Sequence, residues 1–173
     1  MTGGSPGATV HCVTTDVEET RALAGALARQ CVPGDIVLLA GDLGAGKTAF
    51  AQGFGLALGV TEPITSPTFA LLRPYSCGEG AVQTLLHADV YRLDHLQEIA
   101  DLGLGELVED GGVAVVEWGD AAEPVLGRGS LAVHIVAGLD ENLRSIAISP
   151  IGTAWDARWE RLVAALAPWA GPR

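Results

Sequence analysis

Gly41-Asp42-Leu43-Gly44-Ala45-Gly46-Lys47-Thr48 carries the pattern G-x-x-x-x-G-K-[ST] in full. These residue types at this spacing can hold a chain of phosphates. Glycine admits positive φ and puts no side chain in the ligand's way. Successive N–H groups can then point inward as an anion nest. The start of the next helix adds the positive end of its dipole. Asp42, Leu43, Gly44, Ala45 and Gly46 supply this backbone, and Ala49 follows in the first helical turn. Lys47 is expected to reach the β- and γ-phosphates, and the Thr48 hydroxyl to ligate Mg²⁺.

Hydrolysis of a nucleotide needs a further acid on the metal side and a group that orients the attacking water. Open α/β sheets bind ligands at the carboxyl ends of their strands, so the acid belongs at the end of a buried strand beside the phosphate loop. Val113-Ala114-Val115-Val116-Glu117 fits that place. Glu117 is one methylene longer than the Asp usual there, and can reach the ion directly or through water. Asp89 ends a second apolar segment, Thr84-Leu85-Leu86-His87-Ala88-Asp89, and is a candidate for water orientation or metal contact. Ser66-Pro67-Thr68 lies after the loop's helix, where hydroxyls of a switch segment can sense a γ-phosphate. Trp118 directly follows Glu117 and can cover the site, dock on a partner or pack in the core. His87 and His95 read as structural or surface histidines.

The phosphate loop has meaning only between a strand and a helix. Residues 36–40 form a continuous apolar run, as expected of a strand covered on both faces. Residues 48–58 have helical spacing. Residues 8–14 alternate and suggest an edge strand. Asp16 or Thr15 can cap a helix over 17–30, with Ala22, Leu23, Ala26 and Leu27 on one face. Further strands are expected from residue 69, over 82–90 and over 113–116. Any helix within 93–107 should be short or broken by glycine. Residues 131–136 and 143–148 suggest an antiparallel pair across a turn at 138–142. Trp155, Trp159, Leu162, Val163 and Leu166 make a C-terminal helical stripe that core packing explains. The expected fold is a single α/β P-loop NTPase domain over 9–173. Its sheet is mixed, with a mostly parallel centre and antiparallel hairpins at its edge.

The composition is compatible with that domain. The chain has 173 residues, 49% of them hydrophobic and only 5% aromatic, so the core must rest on aliphatic side chains. A formal net charge of −11 argues against a broad grip on nucleic acid, which needs Lys and Arg to replace counterions. Cys12, Cys31 and Cys77 form no C-x-x-C pair, so neither zinc nor a disulfide framework is expected. Residues 1–8 are Gly/Ser/Pro-rich and read as a disordered leader, not a signal peptide. No apolar stretch approaches bilayer length. The expected location is the cytoplasm, with no membrane partner.

Four stretches stand in order: GDLGAGKT (41–48), SPTF (66–69), HADVYRL (87–93) and VVEWGD (115–120). Together they resemble the TsaE (YjeE) family, the bacterial ATPase of tRNA threonylcarbamoyladenosine (t6A) biosynthesis, over residues 14–148. The loop alone is shared by many families, whereas the combination is specific. The resemblance implies an ATP/ADP- and Mg²⁺-binding domain that acts with TsaD and TsaB homologues. In that system TsaD transfers the threonylcarbamoyl group to tRNA adenosine 37, and TsaE drives turnover of the complex. Transfer RNA would be met only indirectly, through that complex. The resemblance assigns phosphate binding to Lys47 and Mg²⁺ to Thr48 and Glu117, with Asp89 as the catalytic or switch acid. Ser66 and Thr68 fall in the first switch, and Trp118 is the tryptophan after the metal-side glutamate. Thr14 or Thr15, with Arg144, match positions that flank adenine and ribose. The leader and the C-terminal tryptophan region match no family motif. Two rivals are a small-molecule P-loop kinase and a nucleotide-gated binding module without turnover. Arg73, Arg92 and Arg128 are scattered, with no arginine-rich lid segment to favour the kinase.

Overall fold

The computed structural model describes residues 8–66, 72–90, 101, 103–117 and 129–171. Its strands are β1 (Val10–Thr14), β2 (Ile36–Gly41), β3 (Leu72–Ser76), β4 (Thr84–Asp89), β5 (Gly112–Glu117), β6 (Ser130–Ala137) and β7 (Arg144–Ile151). Its helices are α1 (Val17–Ala28), α2 (Lys47–Ala57), α3 (Leu104–Glu109) and α4 (Trp159–Leu166), with short 3₁₀ turns at Asp156–Arg158 and Ala167–Trp169. The seven strands form one sheet in the order β1-β7-β6-β2-β5-β4-β3. The four central strands, β6, β2, β5 and β4, run parallel. β3 is antiparallel at one edge, and β7 and β1 are antiparallel at the other. This is the mixed, centrally parallel sheet expected from the sequence, and the edge strand expected over 8–14 is β1.

Strands β2 and β5 carry apolar residues at successive positions because both faces of the sheet are covered. Val37 and Leu39 of β2, with Val113 and Val115 of β5, join a cluster formed with Leu23 and Leu27 of α1, Phe50 and Phe54 of α2, and Leu162 and Leu166 of α4. Ile36, Leu38, Ala114 and Val116 point the other way and meet Leu104 and Val108 of α3. The strand period of two makes this division.

Asp16 caps α1: its carboxylate accepts the Glu19 N–H at 2.8 Å. The Glu19 carboxylate reaches back to the Thr15 N–H at 2.7 Å and hydroxyl at 3.0 Å. Two backbone donors at the helix entrance are thereby satisfied. The buried face of α1 is Thr20, Leu23, Ala24, Leu27 and Ala28, whereas Ala22 is exposed and Ala26 half-buried. The buried stripe is thus turned from the one read in the sequence. Gly25 and Gly53 stand at the α1–α2 contact and let the two backbones approach closely. Val163 likewise lies on the outer side of α4, while Trp155, Trp159, Leu162 and Leu166 are buried. Arg158 fastens this C-terminal region to the start of β2. It donates to Asp35 at 2.7 and 2.8 Å and to the Gln30 carbonyl at 3.0 Å, and it stacks 3.9 Å from the Trp155 ring centre. Partners on all sides hold this planar fork at the foot of the sheet, opposite the phosphate-loop end.

Candidate nucleotide site

The carboxyl end of β2 opens directly into the loop Gly41–Lys47, and α2 begins at Lys47. The glycines have separate physical reasons. A Cβ on Gly41 would lie 2.7 Å from the Ile135 carbonyl oxygen of neighbouring β6, closer than real Cβ atoms come. Gly46 holds φ 113° as the N-cap residue of α2, and Gly44 holds φ 81°. L side chains rarely adopt such conformations. The Ala45 N–H closes the turn onto the Asp42 carbonyl at 2.9 Å, and the Phe50 N–H bonds the Gly46 carbonyl at the start of the helix. The result is a glycine-formed cradle at a helix N-terminus, the arrangement that suits an anion. Lys47 is largely buried, and its ammonium donates to the Gly41 carbonyl at 2.6 Å, spanning the loop from end to end. Leu43 stands at the crest, almost fully exposed. Beside the crest, Ala40–Ala45 and His134–Ala137 line a cleft of about 580 Å³.

The acids come from the two neighbouring strands. β5 pairs with β2 so that Glu117 lies opposite Leu39, next to the entrance of the loop. β4 pairs with β5 so that Asp89 lies opposite Glu117. Val113, Val115 and Glu117 alternate onto one face, and Leu85, His87 and Asp89 onto the same one. Val113, Val115 and Leu85 pack there against the residues of α2. The start of α2 at Lys47 and Thr48 and the strand ends at Glu117 and Asp89 therefore lie at one end and on one face of the sheet. Two carboxylates and a hydroxyl suit a hard cation such as Mg²⁺, which takes oxygen ligands and keeps several from water and phosphate. Among the described residues no three His, Cys, Asp or Glu gather into a metal-holding group.

His87 belongs to this constellation too. It is fully buried, with Nε2 3.3 Å from Oε2 of Glu117, which is itself almost wholly buried. The approach is not aligned as a hydrogen bond, and among the described residues neither ring nitrogen has a hydrogen-bond partner. From the sequence alone His87 reads as a structural or surface histidine. The available signal was its position two residues before Asp89, which puts both side chains on one strand face.

The base-side candidates are placed differently from one another. Asp16, Val17, Thr20, Gly46, Ala49, Asn142 and Arg144 line a small recess of about 60 Å³ beside the loop. Thr14 is not among them: it is fully buried, its hydroxyl 2.7 Å from that of Thr20. Thr15 is exposed and engaged with Glu19. Thr20 and Asn142, absent from the sequence expectation, take part in the lining instead. Arg144 lies at the recess, but its guanidinium is turned onto the phosphate loop, with Nε donating to the Ala45 carbonyl at 2.7 Å. Ser66 is exposed in the loop after α2. Thr68 and Trp118 lie outside the described residues, as do His95, Arg92 and Arg128.

The family model described as threonylcarbamoyl adenosine biosynthesis protein TsaE matches residues 14–146. A tRNA threonylcarbamoyladenosine biosynthesis protein TsaE of Bacillus subtilis is 41% identical over 150 residues, covering 86% of this chain and 90% of that protein. Its namesake in Treponema pallidum is 38% identical over 133 residues, covering 77% and 96%. The crystal structure of Bacillus subtilis YdiB superposes with a TM-score of 0.74 at 34% identity, covering 94% of this chain and 96% of that one. With its P-loop at the end of β2 and this match across most of its length, the chain belongs to the TsaE family.

Proposed function

We propose that the chain is a Mg²⁺-dependent ATPase that supports t6A formation at tRNA adenosine 37 by driving turnover of a complex of TsaB and TsaD homologues. The observation that carries this reading is the convergence of the glycine cradle and Lys47 with Glu117, on the strand paired to β2. The names of the relatives support the pathway. The loop's backbone N–H groups hold the β- and γ-phosphates. Lys47 exchanges its Gly41 carbonyl for phosphate oxygens. Thr48 and Glu117 would hold Mg²⁺, whose positive charge would offset that of the phosphates. Asp89, paired opposite Glu117, orients the attacking water or contacts the metal. Ser66, Thr68 and Trp118 take the switch and covering roles of the family pattern. Asp16, Thr20 and Asn142 flank the adenine and ribose, with Thr14 supporting Thr20 from behind.

The partners carry the tRNA, in keeping with a net charge of −11. The activity is assigned to the cytoplasm. No described helix is long and apolar enough to cross a membrane.

Calorimetric titration with ATP and ADP tests the nucleotide reading. Lys47→Ala is expected to weaken ATP by roughly ten- to a hundredfold, the loss of one or two charge-assisted hydrogen bonds. Equal ATP affinity in both proteins would contradict it. A phosphorylated small-molecule product formed in step with ADP would favour the kinase instead.

A further inference from the structure

Arg144 is the first residue of β7, yet its side chain serves the phosphate loop. Nε donates to the Ala45 carbonyl at 2.7 Å, and Nη2 makes a longer contact of 3.4 Å with the Gly44 carbonyl. Nη1 donates to the Glu141 and Leu143 carbonyls at 2.6 and 2.9 Å. One rigid fork thus ties the β6–β7 hairpin to the crown of the loop, across about a hundred residues of sequence. Carbonyl and N–H point opposite ways across a planar trans peptide. Holding the Ala45 oxygen outward therefore turns the Gly46 N–H inward, at the residue whose φ of 113° shapes the cradle. A cation on that carbonyl also polarises the peptide, making the N–H a stronger donor.

We propose that Arg144 is a positioning residue for phosphate binding: it braces the Ala45–Gly46 peptide in its anion-binding orientation, and does not act by contacting the base. The proposal rests on the P-loop reading above. It deepens that reading by assigning the loop's preorganisation to a side chain outside the motif.

The test is titration with two ligands, ATP and tripolyphosphate, the latter having neither base nor ribose. The proteins are wild type, Arg144→Met and Arg144→Lys. Both ligands are expected to weaken by the same factor in Arg144→Met, about tenfold for one charge-assisted contact. Arg144→Lys, a point charge without the fork, should recover only part of the loss. The ¹⁵N resonance of Gly46 in the ligand-free protein should shift in Arg144→Met, because it responds to the hydrogen bond on the Ala45 carbonyl. An ATP loss with unchanged tripolyphosphate affinity would make Arg144 a base or ribose contact and overturn the proposal. Unchanged affinity for both ligands would overturn it as well. Failure of wild type to bind either ligand would be distinct: it would remove the phosphate reading itself, and the brace with it.

Discussion

Glu117 is the residue on which chemistry, as opposed to binding, depends in this account. It is nearly buried, beside His87 and opposite Asp89. Its removal should leave the cradle and Lys47 in place. Glu117→Ala is expected to lower Mg²⁺-dependent turnover by at least about a hundredfold, the scale of losing one electrostatic stabiliser, while ATP affinity changes only a few-fold. Single-turnover hydrolysis and titration on the same samples would show this split, and unchanged hydrolysis would remove Glu117 from the site. The places of Lys47 and Thr48 at the start of α2 and of Glu117 at the end of β5 were legible in the sequence, because each is fixed by local context, a glycine pattern or the end of an apolar run. Arg144 was not legible in its present role. Its contacts with Gly44 and Ala45 depend on how the distant hairpin folds back over the loop. The orientation of Thr14 was not legible for a related reason. Its place before α1 is as expected, but strand alternation turns its hydroxyl to Thr20 and away from the recess.

At the scale of elements, the position of α2 is set by its contact with α1, and Gly53 is the tightest point. A Cβ there would run into the Arg21 carbonyl oxygen and lie 2.5 Å from its Cα. In an isolated helix Gly→Ala would stabilise by about 1 kcal/mol. Here the sign should reverse: Gly53→Ala is expected to destabilise by about 1–3 kcal/mol through overpacking of one backbone against another. Urea unfolding should show a lower midpoint with unchanged slope. A midpoint at or above wild type would mean that α1 yields easily. Gly25→Ala should cost less, since its Cβ would meet the Ala57 Cβ at 3.4 Å. Most of the elements themselves were legible from apolar runs, caps and turns. Strand order was not: nothing local says that β6 pairs with β2 on the side away from β5, or that Asp89 pairs with Glu117. Those neighbours follow from long crossovers, which carry no short-range signal.

At the scale of the whole molecule, two thiols are sealed in the core and tie stability to alkaline pH. Burial pushes the Cys12 thiol from an ordinary 9.0 to about 11. Burial, with Asp35 nearby, drives Cys31 well above the same value. Both are thiols when folded, and both ionise near 9 when unfolded. Above that pH the unfolded chain holds fewer protons, so unfolding is favoured as pH rises. Their contribution is complete below about pH 9; that of Cys12 is lost as pH climbs through about 11, while Cys31, whose thiol is driven well above 9.0, keeps adding to the loss as pH rises further. The expected outcome is a Tm that falls between pH 9 and 11 in wild type and falls less in Cys12→Ala/Cys31→Ala; equal slopes would contradict it. The proposed coupling of ATP hydrolysis to partner proteins belongs to the same scale. The measurement that tests it most directly is Mg-ATP hydrolysis by the purified chain, with and without the TsaB and TsaD homologues, with Lys47→Ala as the control. Hydrolysis should rise with the pair and vanish in the variant. Hydrolysis indifferent to the pair, or surviving in Lys47→Ala, would contradict it.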